Sequence, residues 1–206
     1  MEGFNLKSSY TLFISCVILF STLTFAEDSS VKEQNIPPVH DALVGLGGDF
    51  TLHSSKGEIS LKDFRKKVVL LYFGFINCPD ACPVTLSNWA KAFKKLDKVE
   101  LNFVQGLMIS VDPERDTVKE LEYFTDFFHE NIVAVTGSIK ELKKVAKLYK
   151  TDFEAAPHEA GKNYGVQHSV YVYVIDPYGK VRGLLDFNAS PEKLVKNIRK
   201  ALQVYY

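Results

Sequence analysis

Cysteine, methionine and tryptophan are scarce in this chain: its 206 residues include three, two and one of them. So few cysteines exclude a small scaffold held together by many disulfides. An excess of charge of either sign is also missing, because 25 Lys and Arg balance 25 Asp and Glu. A neutral chain without a basic stripe interleaved by aromatics exerts no long-range pull on a phosphate backbone, which argues against nucleic acid as a partner. What is present is a chain of 46% hydrophobic and 13% aromatic residues. That composition rules out disorder and collagen-like sequence, and the length fits one domain of about 150 residues plus a tail.

No arginine precedes Arg65. A mitochondrial presequence would be rich in it, so the amino terminus reads as a bacterial-type export signal: Lys7 in the leader, an apolar run from Tyr10 to Phe25, then Ala26 before polar Glu27-Asp28-Ser29-Ser30. Residues 1–26 are therefore expected to be a signal peptide, or an uncleaved membrane anchor. The rest is then exported, to the bacterial periplasm or the periplasmic side of the inner membrane. Cys16 falls in the leader and is assigned no role, which leaves two cysteines in an oxidising compartment. Residues 27–41, polar and acidic with Pro37-Pro38, read as a tether, and 42–206 as the folded domain.

Within the domain, the turn-like Ser54-Ser55-Lys56-Gly57 between Phe50–Leu52 and Glu58–Leu61 predicts an amino-terminal hairpin. The unbroken apolar run Val68–Phe75 predicts a strand covered on both faces. Val84, Leu86, Trp89, Phe93 and Leu96 predict a helix from Pro83. Strands are expected at Phe103–Val111 and Ile132–Val135, with helices at Thr117–Phe128 and Ile139–Tyr149. A long loop, Thr151–Gly165, then leads to two strands, Ser169–Ile175 and Val181–Phe187, around Asp176-Pro177-Tyr178-Gly179. Ser190 and Pro191 open a last helix. This order predicts a thioredoxin-like α/β fold: a central mixed sheet with one parallel crossover and a terminal antiparallel hairpin, helices on both faces, and the added amino-terminal hairpin.

Cys78-Pro79-Asp80-Ala81-Cys82-Pro83 lies where the buried strand gives way to the first helix. Unpaired amides at a helix start favour thiolate over thiol. The i, i+4 spacing puts both sulfurs on one side, close enough to share a metal or to form a redox-active disulfide. A purely stabilising disulfide across so short a loop would contribute little. Two cysteines cannot complete a structural zinc site, whereas two thiolates and an imidazole suit Cu(I).

His168 is the expected imidazole. In a thioredoxin-like domain the segment entering the terminal hairpin lies beside the cysteine-bearing turn. His158, in the same loop, is the nearest rival but reads as solvated; His40, His53 and His129 receive no role.

Three motifs, Tyr72-Phe73-Gly74-Phe75 running into Cys78–Pro83, Ile109–Thr117 with its Asp112-Pro113-Glu114-Arg115-Asp116, and His168-Ser169 followed by Ile175-Asp176-Pro177, resemble the Sco/SenC copper chaperones over about Ala42 to Leu202. The resemblance implies a thioredoxin-like domain tethered by its amino terminus. It also implies copper, Cu(I) with Cu(II) left open, held by Cys78, Cys82 and His168. The implied role is assembly of the copper centre of cytochrome c oxidase, by delivering the metal, reducing target cysteines, or both. Implied partners are the copper-centre subunit or another exported cuproprotein, with a further copper chaperone or a thioredoxin-like reductant. Contact with membrane comes only through the amino-terminal segment. Gln167 stands where many relatives have Asp, which puts a carboxylate role there in doubt. Asp112, Arg115 and Asp116 read as structural, Asp116 or Thr117 capping the next helix.

The contrasting reading is an exported thiol-disulfide oxidoreductase using the same two sulfurs. Against it stand the extra residue between the cysteines and the absence of proline in Val166-Gln167-His168-Ser169. A peroxidase of the peroxiredoxin kind would have Thr where this chain has Phe75.

Overall fold

The computed structural model describes Leu43 and residues 45–155, 166–168 and 171–203, excepting the side chains of Ala155 and of 166–168. The leader, the tether, Cys16, His40 and His158 lie outside the described residues. In chain order the elements are β1 (Thr51–Ser54), β2 (Gly57–Ser60), a 3-10 turn (Leu61–Phe64), β3 (Val68–Gly74), α1 (Ala81–Phe93), α2 (Lys98–Asn102), β4 (Val104–Ser110), α3 (Val118–Asp126), β5 (Ile132–Val135), α4 (Ile139–Leu148), β6 (Phe153–Ala155), β7 (Val166–His168), β8 (Tyr171–Ile175), β9 (Val181–Asp186) and α5 (Pro191–Leu202).

Every residue of β3 is buried, as an unbroken apolar run requires. It is the middle strand of a five-stranded sheet ordered β5-β4-β3-β8-β9. Alternation along β3 feeds two cores. Val68, Leu70 and Tyr72 pack with Leu86, Trp89 and Phe93 of α1, Leu121 of α3, and Leu194 and Ile198 of α5. Val69, Leu71 and Phe73 pack on the other face with Leu52, Leu61, and Leu142 and Val145 of α4. Helices therefore cover both faces, and the expected hairpin β1–β2 covers part of the second.

Four details differ from expectation. The sheet has two parallel pairings, β3–β4 and β4–β5, rather than a single crossover, before the antiparallel β8 and β9. Helix α1 starts at Ala81, ahead of Pro83; the proline still falls in the first turn, where a missing N–H has no partner to lose. The short α2 went unpredicted although its signal is local: Asp97 accepts from the Val99 and Glu100 amides while Glu100 accepts from that of Asp97. Finally, the long loop contains β6, which pairs antiparallel with β7, so His168 ends a separate two-stranded ribbon instead of opening β8.

Candidate metal centre

At the end of β3 the ladder to β4 closes with the Val111 amide donating to Gly74 O at 2.9 Å. The chain then leaves the sheet through Phe75, Ile76 and Asn77 to Cys78. Cys78 is half-buried and packs against both cores. Cys82, one helical turn on, lies in the first turn of α1 and is fully buried. Both are thiols in this structure. The Cys82 amide donates to Cys78 Sγ at 3.5 Å, and the Cys82 thiol donates to Tyr72 Oη at 3.9 Å.

The two sulfurs are not equivalent. Expectation had both favoured as thiolates by the helix start. The helix-start amide is aimed at Cys78. For Cys82, the hydrogen bond to Cys78 and then burial push its thiol far above the ordinary cysteine range, outweighing the Phe75 backbone, which acts in the opposite sense. The expectation is therefore corrected for Cys82: the metal-free site keeps a proton there. Tyr72, pushed up by burial and by Cys82, stays a neutral phenol beside it.

Space around Cys82 is tight. A Cβ added to Gly74 would lie 2.8 Å from Cys82 Sγ and 2.9 Å from the Tyr72 ring. Both groups are buried, so neither can swing into solvent. Gly74→Ala is expected to cost about 1–3 kcal/mol of stability, the usual range for overpacking, and to displace Cys82 Sγ. Urea denaturation together with the rate of Cys82 alkylation in the folded protein checks this.

The third expected ligand is placed by backbone register. Tyr72 of β3 pairs with Val172 of antiparallel β8. The chain beyond Tyr72, toward Cys78, and the chain before Val172, from His168, therefore leave the same end of the sheet. His168 pairs with Phe153 across β6–β7, and Phe153 belongs to the core that Cys78 packs against. The His168 side chain lies outside the described residues; among those described, no three of His, Cys, Asp and Glu gather to hold a metal. Of the histidines denied a role, His129 is placed at a helix end, edge-on to Phe93 with Nδ1 accepting from the Asn131 amide. His53 lies in β1 and its backbone bridges to Thr136.

A residue underrated from sequence is Asp116. Thr117 caps α3 by accepting from the Glu120 amide. Asp116, 1% exposed, instead accepts from the Ile76 amide at 3.0 Å and from Ser110 Oγ at 2.6 Å. Arg115 pairs with Asp112 and lies over the Phe75 ring. Two soft sulfurs one helical turn apart, one of them half-buried, form a donor pair suited to a monovalent soft cation.

Comparison with known proteins places this geometry. The profile of the family described as SCO1/SenC matches residues 41–203. A mouse protein, "Protein SCO2 homolog, mitochondrial", is 33% identical over 177 residues, 85% of this chain and 69% of its own length. The crystal structure of yeast Sco1 with copper bound superposes with a TM-score of 0.71 at 33% identity, covering 78% of this chain and 90% of the yeast one. BsSco, in which a disulfide switch has been identified and which is described as a member of the Sco family of cytochrome c oxidase assembly proteins, aligns with a TM-score of 0.60 and 26% identity over 77% of this chain and 94% of its own.

Proposed function

Because this chain belongs to the SCO1/SenC family, we propose that it is a copper chaperone that carries the metal as cargo on Cys78, Cys82 and His168 and serves assembly of the copper centre of cytochrome c oxidase. The observation that carries this reading is the thiol pair itself. Cys78 Sγ is held by the Cys82 amide at the mouth of α1, and the buried Cys82 stands one turn behind it. Thiolates select Cu(I), and an ion on a half-buried sulfur can be passed on one ligand at a time. The backbone register that brings His168 to the same end of the sheet supports it as third donor. The copper carried by the yeast relative supports the choice of metal.

The recipient is the copper-centre subunit of the oxidase or another exported cuproprotein, with a thioredoxin-like reductant keeping the pair reduced. Oxidation joins the two sulfurs, with loss of two protons and two electrons to an acceptor disulfide, and removes both soft donors. The disulfide switch in BsSco supports such a control. Export through the leader places the work outside the cytoplasm; among the described residues no helix is long and apolar enough to cross a membrane.

The test is retention of Cu(I) against a chromophoric chelator. The reduced chain is expected to hold one equivalent, the disulfide form none, and His168→Ala to hold it more weakly. Equal retention by the reduced and disulfide forms would reject the site. The same samples assayed with a small disulfide and a thiol reductant separate the two functions: rapid turnover indifferent to His168→Ala would make the chain an oxidoreductase.

A further inference from the structure

The buried carboxylate of Asp116 is expensive. Its Oδ2 is satisfied by the Ile76 amide and Ser110 Oγ, while Oδ1 is buried without a hydrogen-bond partner. An unsatisfied buried acceptor of this kind costs stability, and each such group in a native fold calls for an explanation. Helix capping does not supply one, since Thr117 does that work. Ion pairing to the neighbouring guanidinium does not either, because Arg115 Nε donates to Asp112.

What Asp116 does is continue the sheet. The β3–β4 pairing ends at Gly74 and Ser110, with the Val111 amide donating to Gly74 O. Two residues further along the departing chain, the Ile76 amide donates to a side chain, Asp116, and not to a strand carbonyl. Asp116 Oδ2 takes that place and is itself held by Ser110, the last residue of β4. Just beyond, the Cys78 amide donates to Phe75 O at 3.3 Å, so the turn that carries Cys78 is built on the segment that Asp116 pins.

We propose that Asp116 is a positioning residue for Cys78: by holding the Ile76 amide against the end of β4 it sets the turn that keeps Cys78 Sγ over the first turn of α1, in register with Cys82. The proposal rests on the copper-binding reading above for its metal readout and on the thiol pair alone for its second readout.

The full reduced chain and its Asp116→Ala, Asp116→Asn and Ser110→Ala variants are compared. Asp116→Ala is expected to weaken Cu(I) retention about 10–100-fold, the range for residues that orient ligands. It should also alter the sulfur-to-copper charge-transfer spectrum of the Cu(II)-loaded protein and change the rate at which metal-free Cys78 is alkylated. Asp116→Asn keeps an oxygen for the Ile76 amide and should restore all three toward wild type. Ser110→Ala, milder than either, should shift them in the direction of Asp116→Ala and serves if that variant fails to fold.

Wild-type retention, spectrum and alkylation rate in folded Asp116→Ala would overturn the proposal, since its role would then be stability alone. Equal loss in Asp116→Asn and Asp116→Ala would also overturn it, because charge and not the held amide would then be what matters. If the wild-type chain holds no copper, it is the functional reading that fails. The alkylation rates then still judge the proposal: a change in Asp116→Ala restored in Asp116→Asn supports it, and no change overturns it.

Discussion

Cys82→Ser is expected to abolish tight Cu(I) retention and with it most of the dependence of copper binding on pH. The loss should exceed the tenfold to hundredfold typical of residues that only orient ligands, because a soft donor is replaced by a hard hydroxyl. The pH effect follows from where the proton sits. With the Cys82 thiol held well above its usual range by Cys78 and by burial, the metal must displace that proton whenever the pH is below the raised value. Binding should therefore strengthen by about tenfold per pH unit from this group, and continue to do so above about 8.5, where an ordinary thiol would already be ionised. Cys78→Ser should lose retention comparably and for the same reason, since it too replaces a soft sulfur donor, the one that receives the Cys82 amide. Competition titrations at pH 6, 7, 8 and 9 check both. A wild-type affinity that levels off near pH 8 would contradict the raised Cys82 thiol, and unchanged retention in both variants would remove the pair from the site altogether.

The largest effect on stability is expected at Trp89, the only tryptophan of the chain. Its indole is fully buried among Leu86, Phe93 and the β4 face. Gly106 makes the room, since a Cβ there would lie 2.8 Å from the ring. Trp89→Ala should cost about 3–5 kcal/mol, the usual range for truncating a buried aromatic, out of a total that is typically about 5–15 kcal/mol. Trp89→Phe should cost clearly less, because Nε1 has no hydrogen-bond partner in the core and nothing polar is orphaned by losing it. Urea denaturation followed by circular dichroism gives both values. A cost for Trp89→Phe equal to that for Trp89→Ala would mean that the indole N–H, and not its packing, carries the energy.

How far the sequence could be read depended on how local each signal was. The run Val68–Phe75 is apolar at every position, so the central strand and its two covered faces were legible before any coordinates. Ser190 lies directly before an amphipathic stretch and caps as expected, and Ser138 caps α4 in the same way. The Asp97–Glu100 capping box carries an equally local signal for α2, but the helix it opens buries no residue, so no apolar periodicity accompanies it. The cysteine pair was legible from spacing, but the difference between its members was not. Helix position favours the thiolate at both; only the packing of Tyr72, Gly74 and α1 buries one sulfur and leaves the other half-exposed. Asp116 and Thr117 were both legible as candidate caps, and Thr117 is the one that caps; the Ile76 amide that Asp116 holds is distant in sequence and left no local signal.

The hairpin β1–β2 has a role that its small size conceals. His53 and Thr136 exchange backbone hydrogen bonds of 2.8 and 2.9 Å just beyond the end of β5, so the outermost parallel strand meets another piece of its own chain. At the opposite margin, β9 turns Arg182 outward and ties its guanidinium to Asp176. Unpaired strand margins invite copies of a protein to zip together, and a formal net charge of zero provides no mutual repulsion to keep those copies apart. Any check on edge-to-edge pairing in this molecule therefore lies in the masonry of its sheet borders and not in its net charge.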